Sequence, residues 1–463
     1  MRSFVLLLLV AAALASAPVA SMAEEAFMDL QAIIDDAAVG SVVILQPGTY
    51  AGGVTIDKPL TIRGIDWPIL DSQGRGTVIS VRAPDVTIEG LIIRGSGASL
   101  DREDTGISVD APRVTIRNNR LEDVLFGIFL RAAPDSVIAD NSVGAKDVFI
   151  ANRGDGIRLW ESERTIVERN VISGGRDTVF WFSDEIVVRD NVITGGRYGL
   201  HFMYSDDTLV EGNIVSRNSV GAFMMYSRGV ILRDNVLAEN FGPSGYGLGL
   251  KDMDQATIEG NRFIGNRVGM YLDNSPYTHD DHQYVTGNLF AYNKVGVLMQ
   301  PSVKRNVFSE NAFIENAAQV GVASSGQFAG NEWSVDGVGN YWSDFAGYDA
   351  GGDGIGDVSY RVDDLYNTLT DAHPHLRFFQ DTPAAKTIAL AAEMFPVLRP
   401  LPLVEDEFPL IDQPVFHDVR SGERASGNVM LLFASILMVI GAAAAVFIPS
   451  RGRRSYPDKE AIT

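Results

Sequence analysis

Cysteine is absent from all 463 residues. No disulfide can form and no thiolate can hold a metal, so an exported form of this chain must be stabilised by its core alone. Basic residues are scarce too. The 38 Lys and Arg stand against 59 Asp and Glu, a formal charge of −21. That balance excludes nucleic acid as a partner and suits a soluble exported protein. Long uncharged runs occur only near the ends. Residues 1–23 have the pattern of a secretory signal, with Arg2, an apolar stretch over 4–14, and a small-x-small cleavage site at Ser21, Met22 and Ala23. Residues 429–448 contain no charge, are long enough for one membrane span, and are followed by Arg451, Arg453 and Arg454. The basic flank predicts a cytoplasmic tail over 450–463. The expected topology is a periplasmic body anchored to the inner membrane by a C-terminal helix over 428–449.

What the chain has in abundance is a repeat. Asn119, Asn141, Asn170, Asn191, Asn213, Asn235, Asn261, Asn288, Asn311 and Asn331 follow one another at gaps of 20 to 29 residues. An apolar residue precedes each by three positions, from Ile116 to Phe328, and another follows each by two, from Leu121 to Trp333. A period near 22 with short V-x-I strands means stacked coils of one chain. Gly, Asn and Asp between the strands supply tight turns, and Val, Ile, Thr and Phe suit pleated surfaces. The expected fold is all-β, a right-handed parallel β-helix of the pectin-lyase-like kind over 24–381, because parallel crossovers are right-handed. The recurrent Asn is expected to form an internal ladder at one turn. The apolar pattern over 27–38 predicts a short helix capping the first coil. Beyond the coils, residues 382–427 form an apolar arm. Pro396, Pro400, Pro402, Pro409 and Pro414 forbid a regular helix there. Its exposed apolar residues call for a surface to pack on, either the flank of the solenoid or a partner.

Alternation along the second strand of each coil sorts its side chains. The inward set is apolar throughout. The outward set should be polar, yet it contains Phe129, Trp160, Phe180, Phe182, Phe223 and Met225, an exposed apolar stripe of the kind that marks a binding surface. Covering by the chain's own arm is the alternative. Within the stripe, Met203 and Met225 share one position on adjacent coils, with His201 beside them. One imidazole and two thioethers suit Cu(I), whereas methionine as gap-filler is the plainer alternative. Two further clusters stand out. His279 and His282 flank two aspartates in an insertion at a turn, where a divalent ion, a catalytic base or a solvated loop all fit. Asp349, Asp353 and Asp357 surround a glycine turn that echoes a calcium loop, although Gly351 takes the place of an expected Asp or Asn and no Glu closes it.

Three segments carry a family resemblance: the VVILQPGTY run over 42–50, GLHFMYSDD over 199–207, and GNYWSDFAGYDAGGDGIGD over 339–357. With the recurring D-N-x-[IV] turns, they make the mature chain resemble the NosD family, periplasmic β-helix proteins of nitrous oxide reductase maturation. The resemblance implies a non-enzymatic scaffold or copper-handling role in assembling the copper centre of that reductase. It implies as partners an ABC permease with its ATPase, a copper-chaperone lipoprotein and the reductase itself. The rival from another class is a β-helix that binds or modifies polysaccharide as a lyase or epimerase does. Such an enzyme needs clustered carboxylates or a base in a sugar groove, and the candidates here, His279, His282, Lys251 and Asp252, are sparse. A surface adhesin fits the coils but leaves the Met and His cluster without a role.

Overall fold

The computed structural model describes residues 27–323, 330–362, 382–383, 387 and 402–416. Among the described residues the repeat becomes three parallel sheets. The first has 12 strands, from Val42–Leu45 to Asn306–Ser309. The second has 13, from Thr49–Ala51 to Tyr341–Trp342. The third has 12, from Val54–Ile56 to Ala318–Val322. Each coil adds one strand to each sheet, giving a right-handed solenoid of about twelve turns. Most strands of the first two sheets are three residues long with only the middle side chain buried. Val188 therefore pairs with Val210, and Ile193 with Val215, in continuous inward rows. The third sheet has longer strands. Several carry a glycine as their second residue because another coil passes close by. A Cβ on Gly199 would lie 2.6 Å from the Gly221 carbonyl oxygen.

The asparagine ladder is present and buried. At each rung from Asn119 to Asn288, Oδ1 of the next asparagine accepts both the backbone N–H and the Nδ2 of the one before. From Asn191 to Asn213 both distances are 3.0 Å. One rung departs from the spacing. After Asn311 the ladder continues to Asn340, and Asn331 instead caps Asn306 in a separate pair. A second ladder runs through Asn218, Asn240, Asn266, Asn293 and Asn316. These amides satisfy turn backbone that the stack takes out of water.

Both ends are closed. Helix α1, Leu30–Asp36, is capped by the Asp29 side chain on the Ala32 amide and lays Leu30 and Ile34 into the first coil. Gln31 bonds both backbone groups of Thr55, so the first strand of the third sheet is not left bare. At the other end, Tyr360–Val362 pairs antiparallel with Val404–Asp406. Asp406 is fully buried. It accepts from the Asn340 amide at 2.7 Å and from Trp342 Nε1 at 2.9 Å, ending the asparagine ladder on a carboxylate. Tyr360 stacks on Trp342, which stacks on Phe313. The part of the apolar arm at 402–414 thus packs on the end of the solenoid rather than on its flank. The signal at 1–23, the rest of the arm and the uncharged run at 429–448 lie outside the described residues. Among the described residues no helix is long and apolar enough to cross a membrane.

Candidate functional site

The outward face of the third sheet brings the expected residues together, with corrections. Met203 pairs with Met225 and His201 with Phe223 on the strands Tyr198–Met203 and Val220–Met225. The two methionines are half-buried neighbours, as the spacing predicts. His201 is only 7% exposed, because Tyr198 and Trp181 stand edge-on to its ring at 4.9 and 5.3 Å.

The stripe itself is rearranged. Phe180 is a core residue, stacked on Phe202 at 4.6 Å, and does not face outward. The cause is a bulge. Gly199 and Leu200 face the single residue Thr178, so Val179 pairs with His201 and Trp181 with Met203. A one-residue slip moves a side chain to the opposite face, and Trp181 takes the outward place. Phe182 is pushed into the following turn and stacks on Tyr204 instead of flanking Met203. Phe129 does face outward but is covered, with the guanidinium groups of Arg131 and Arg158 each 4.7 Å from its ring centre. A partner cannot reach it. Trp160 and Phe223 remain half-exposed. Trp160 packs on Trp181 and Phe182, and Phe223 lies between Tyr198 and Tyr246. The half-exposed apolar face is therefore Trp160, Trp181, Met203, Phe223 and Met225, bordered by a stack of exposed Phe182 and Tyr204 and half-buried Tyr226.

Beneath one edge of this face lies a charged cluster that the pattern of apolar residues does not announce. Asp155 and Asp177 are both buried. Asp177 accepts from Arg197 Nε at 3.0 Å and from the Tyr198 amide at 3.1 Å. Burial pushes Asp177 up, but His201, Arg197 and that amide outweigh it and hold the carboxyl below its ordinary value. Asp155 goes the other way. Burial, opposed by Arg176, lifts it to about 6. His201 Nδ1 stands 3.8 Å from Asp177, near enough to feel its charge but beyond hydrogen-bond reach, and among the described residues it has no hydrogen-bond partner. The signal for this cluster was a run of Asp and Arg at the same place in successive coils: Asp155, Arg176, Asp177 and Arg197.

The other two clusters lose their metal-binding character. Each carboxylate of the glycine turn is spent on its own loop. Asp349 accepts from the Gly352 and Gly354 amides, Asp353 from the Ile355 amide and Asp357 from the Ala350 amide. Those amides hold Asp349 below its usual value. The carboxylates fix a turn, and calcium is not supported. In the insertion, Asp281 pairs with Gln255 and Arg228, and Thr278 bonds Asp254. Among the described residues no three His, Asp or Glu converge on one point to hold a metal.

Comparison with known proteins agrees with the resemblance read from the sequence. The family model described as "Periplasmic copper-binding protein (NosD)" matches residues 139–347. A "Probable ABC transporter binding protein NosD" of Pseudomonas aeruginosa is 38% identical over 387 residues, covering 80% of this chain and 88% of that protein. Its namesake in Stutzerimonas stutzeri is 35% identical over 390 residues, covering 80% and 86%. Among solved structures, the A-module of a mannuronan C-5 epimerase of Azotobacter vinelandii overlaps 68% of this chain and 96% of its own, with a TM-score of 0.48 and 16% identity. On the strength of the two curated relatives, this chain belongs to the NosD family.

Proposed function

We propose that this protein is the periplasmic component of an ABC-type system that assembles the copper centre of nitrous oxide reductase, and that it acts as a docking and copper-handling scaffold rather than an enzyme. The observation that carries the proposal is the Met203–Met225 pair, side by side on adjacent strands within a half-exposed aromatic face. Thioethers are soft ligands and Cu(I) is a soft cargo. Two of them without a thiolate make a weak, open site, suited to receiving copper and releasing it to a docked protein. His201 lies on the same face but under Tyr198 and Trp181, so its share in the contact requires those rings to move. The names of the relatives, binding proteins of ABC transporters, support a permease and ATPase as partners. A copper-chaperone lipoprotein and the reductase are the other partners of this scheme, and the uncharged run at 429–448 is the proposed anchor.

The test is Cu(I) titration of the purified protein against a chromophoric chelator, with uronate polymers assayed in parallel. Weak Cu(I) binding that disappears in Met203→Leu/Met225→Leu, with no turnover of the polymers, is expected. Unchanged Cu(I) binding in the variant would remove the copper role from this face, and lyase or epimerase turnover would make the protein an enzyme.

A further inference from the structure

One edge of the same face carries a feature that copper handling does not use. In three successive coils, the residue that turns the chain out of the third sheet is aromatic and left-handed: Phe182 at φ 53°, Tyr204 at 52° and Tyr226 at 54°. Bulky side chains are disfavoured there, and Asn, Asp and Gly are preferred. The next two coils follow the preference with Asp252 and Asn274. Aromatic rings held at such positions in consecutive coils point to a use for the rings themselves. They are also wet. Tyr204 is 46% exposed and stacks on Tyr226 at 5.0 Å.

A groove of about 440 Å³ opens against this stack, walled by Tyr204, Tyr226 and Tyr277 and by Asp206, Asp252 and Asp254. Tyr277 is 65% exposed. The three carboxylates receive hydrogen bonds from neutral donors: the Arg228 amide on Asp206, the Asn274 side chain on Asp252, and Thr278 on Asp254. Among the described residues the groove's one lining cation, Arg228, directs its guanidinium to Gln255 and Asp281 instead. Asp206 is pushed up by burial, with neighbouring Asp184 and Asp207 adding to the rise and the amide and charge of Arg228 offsetting part of it. Tyr faces bounded by unpaired carboxylates recognise a cation, and a planar guanidinium best of all, because it stacks and bonds in one plane.

The geometry points to this groove as the docking site for an arginine-bearing segment of a partner protein, held by the Tyr204–Tyr226–Tyr277 walls and the Asp206, Asp252 and Asp254 carboxylates. A second copy of this chain is disfavoured by its charge of −21. A bare metal ion is disfavoured because, among the described residues, no three carboxylates there converge closely enough to hold one. Tyr204 and Tyr226 directly follow Met203 and Met225, so a segment seated here lies beside the thioether pair. The inference therefore deepens the docking role proposed above.

The probe is fluorescein-labelled nona-arginine, with nona-lysine alongside, titrated into the purified full chain. Nona-arginine should bind about fivefold or more tighter than nona-lysine. Asp206→Asn/Asp252→Asn and Tyr226→Asn, the last chosen because Asn tolerates the left-handed turn, should each weaken nona-arginine about fivefold. Asp66→Asn/Asp101→Asn, which removes the same charge from other coils, should change it less than about twofold. Circular dichroism melts confirm that each variant is folded. Equal losses in the groove and control variants would mean diffuse electrostatics only. Indifference to Tyr226→Asn, displacement of the peptide by micromolar Ca²⁺, or a dimer that dissolves in the groove variants would each overturn the assignment. Met203→Leu/Met225→Leu should keep peptide binding, and the groove variants should keep Cu(I) binding, so the two proposals fail separately.

Discussion

Replacing Asn213 with Ala removes five hydrogen bonds from the middle of the solenoid. Its Oδ1 accepts from the Asn191 amide and the Asn191 side chain. Its Nδ2 donates to the carbonyls of Val188 and Glu211 and to Asn235. Not all five losses count alike. The Asn191 side chain keeps its bond to the Val167 carbonyl, and Asn235 Oδ1 still accepts from the Asn213 amide. The Asn191 amide loses the acceptor it has here and stays buried. An orphaned buried donor costs about 1–3 kcal/mol, and each further bond about 1 kcal/mol net. The expected destabilisation is about 3–5 kcal/mol, large against the total stability of a domain. Asn213→Asp keeps the acceptor but cannot donate, and it buries a charge between two amide rungs. It should be at least as damaging at neutral pH and recover partly in acid, when the carboxyl is protonated. Urea unfolding followed by circular dichroism measures both. A loss below about 1 kcal/mol for Asn213→Ala would mean that water replaces the ladder and that the amides are not what holds the turn.

Asp406→Ala deprives the Asn340 amide, Trp342 Nε1 and the Phe408 amide of their shared acceptor. It should release residues 402–414 to protease and cost about 3 kcal/mol in unfolding. Asp155 is raised from 3.8 to about 6 in the folded protein, so the native state holds a proton that the unfolded chain gives up. Stability should fall as pH rises from about 4 to about 6, by about 3 kcal/mol at most, and that slope should be missing from Asp155→Asn. A desolvated aromatic anchor is worth about 2 kcal/mol or more. Trp160→Asp should therefore leave the melt intact and abolish copurification with the permease complex, and undiminished recovery would refute the role of the aromatic face.

Much of this architecture is legible in the sequence because a solenoid repeats each physical constraint. The asparagine spacing marks the buried turn, and the residues bracketing it mark the inward rows. The second ladder is equally legible, since Asn218, Asn240, Asn266, Asn293 and Asn316 each stand five residues after a member of the first. Counting fails where a coil changes length. Thr178 matches Gly199 by its distance from the ladder, yet the bulge opposite it turns Phe180 inward and Trp181 outward. Near the C-terminal end, spacing alone favours Asn331, while the coil there is longer and Asn340 takes the rung. Alternation also fixes only direction, not cover. Phe129 points outward as expected, and two long arginine side chains from neighbouring positions lie over it. The closure by 402–414 depends on a contact between residues more than sixty positions apart, which no local pattern encodes. The Met203–Met225 pair was legible because both lie after the bulge, in strands that share one register.

The most direct test of the copper-handling account is the metal content of nitrous oxide reductase purified from cells whose only copy of this protein carries His201→Ala, Met203→Leu and Met225→Leu. The account predicts normal levels of the variant protein and a reductase that lacks the copper of its catalytic centre. A reductase with full copper content and full activity from those cells would contradict it and leave the three residues as packing.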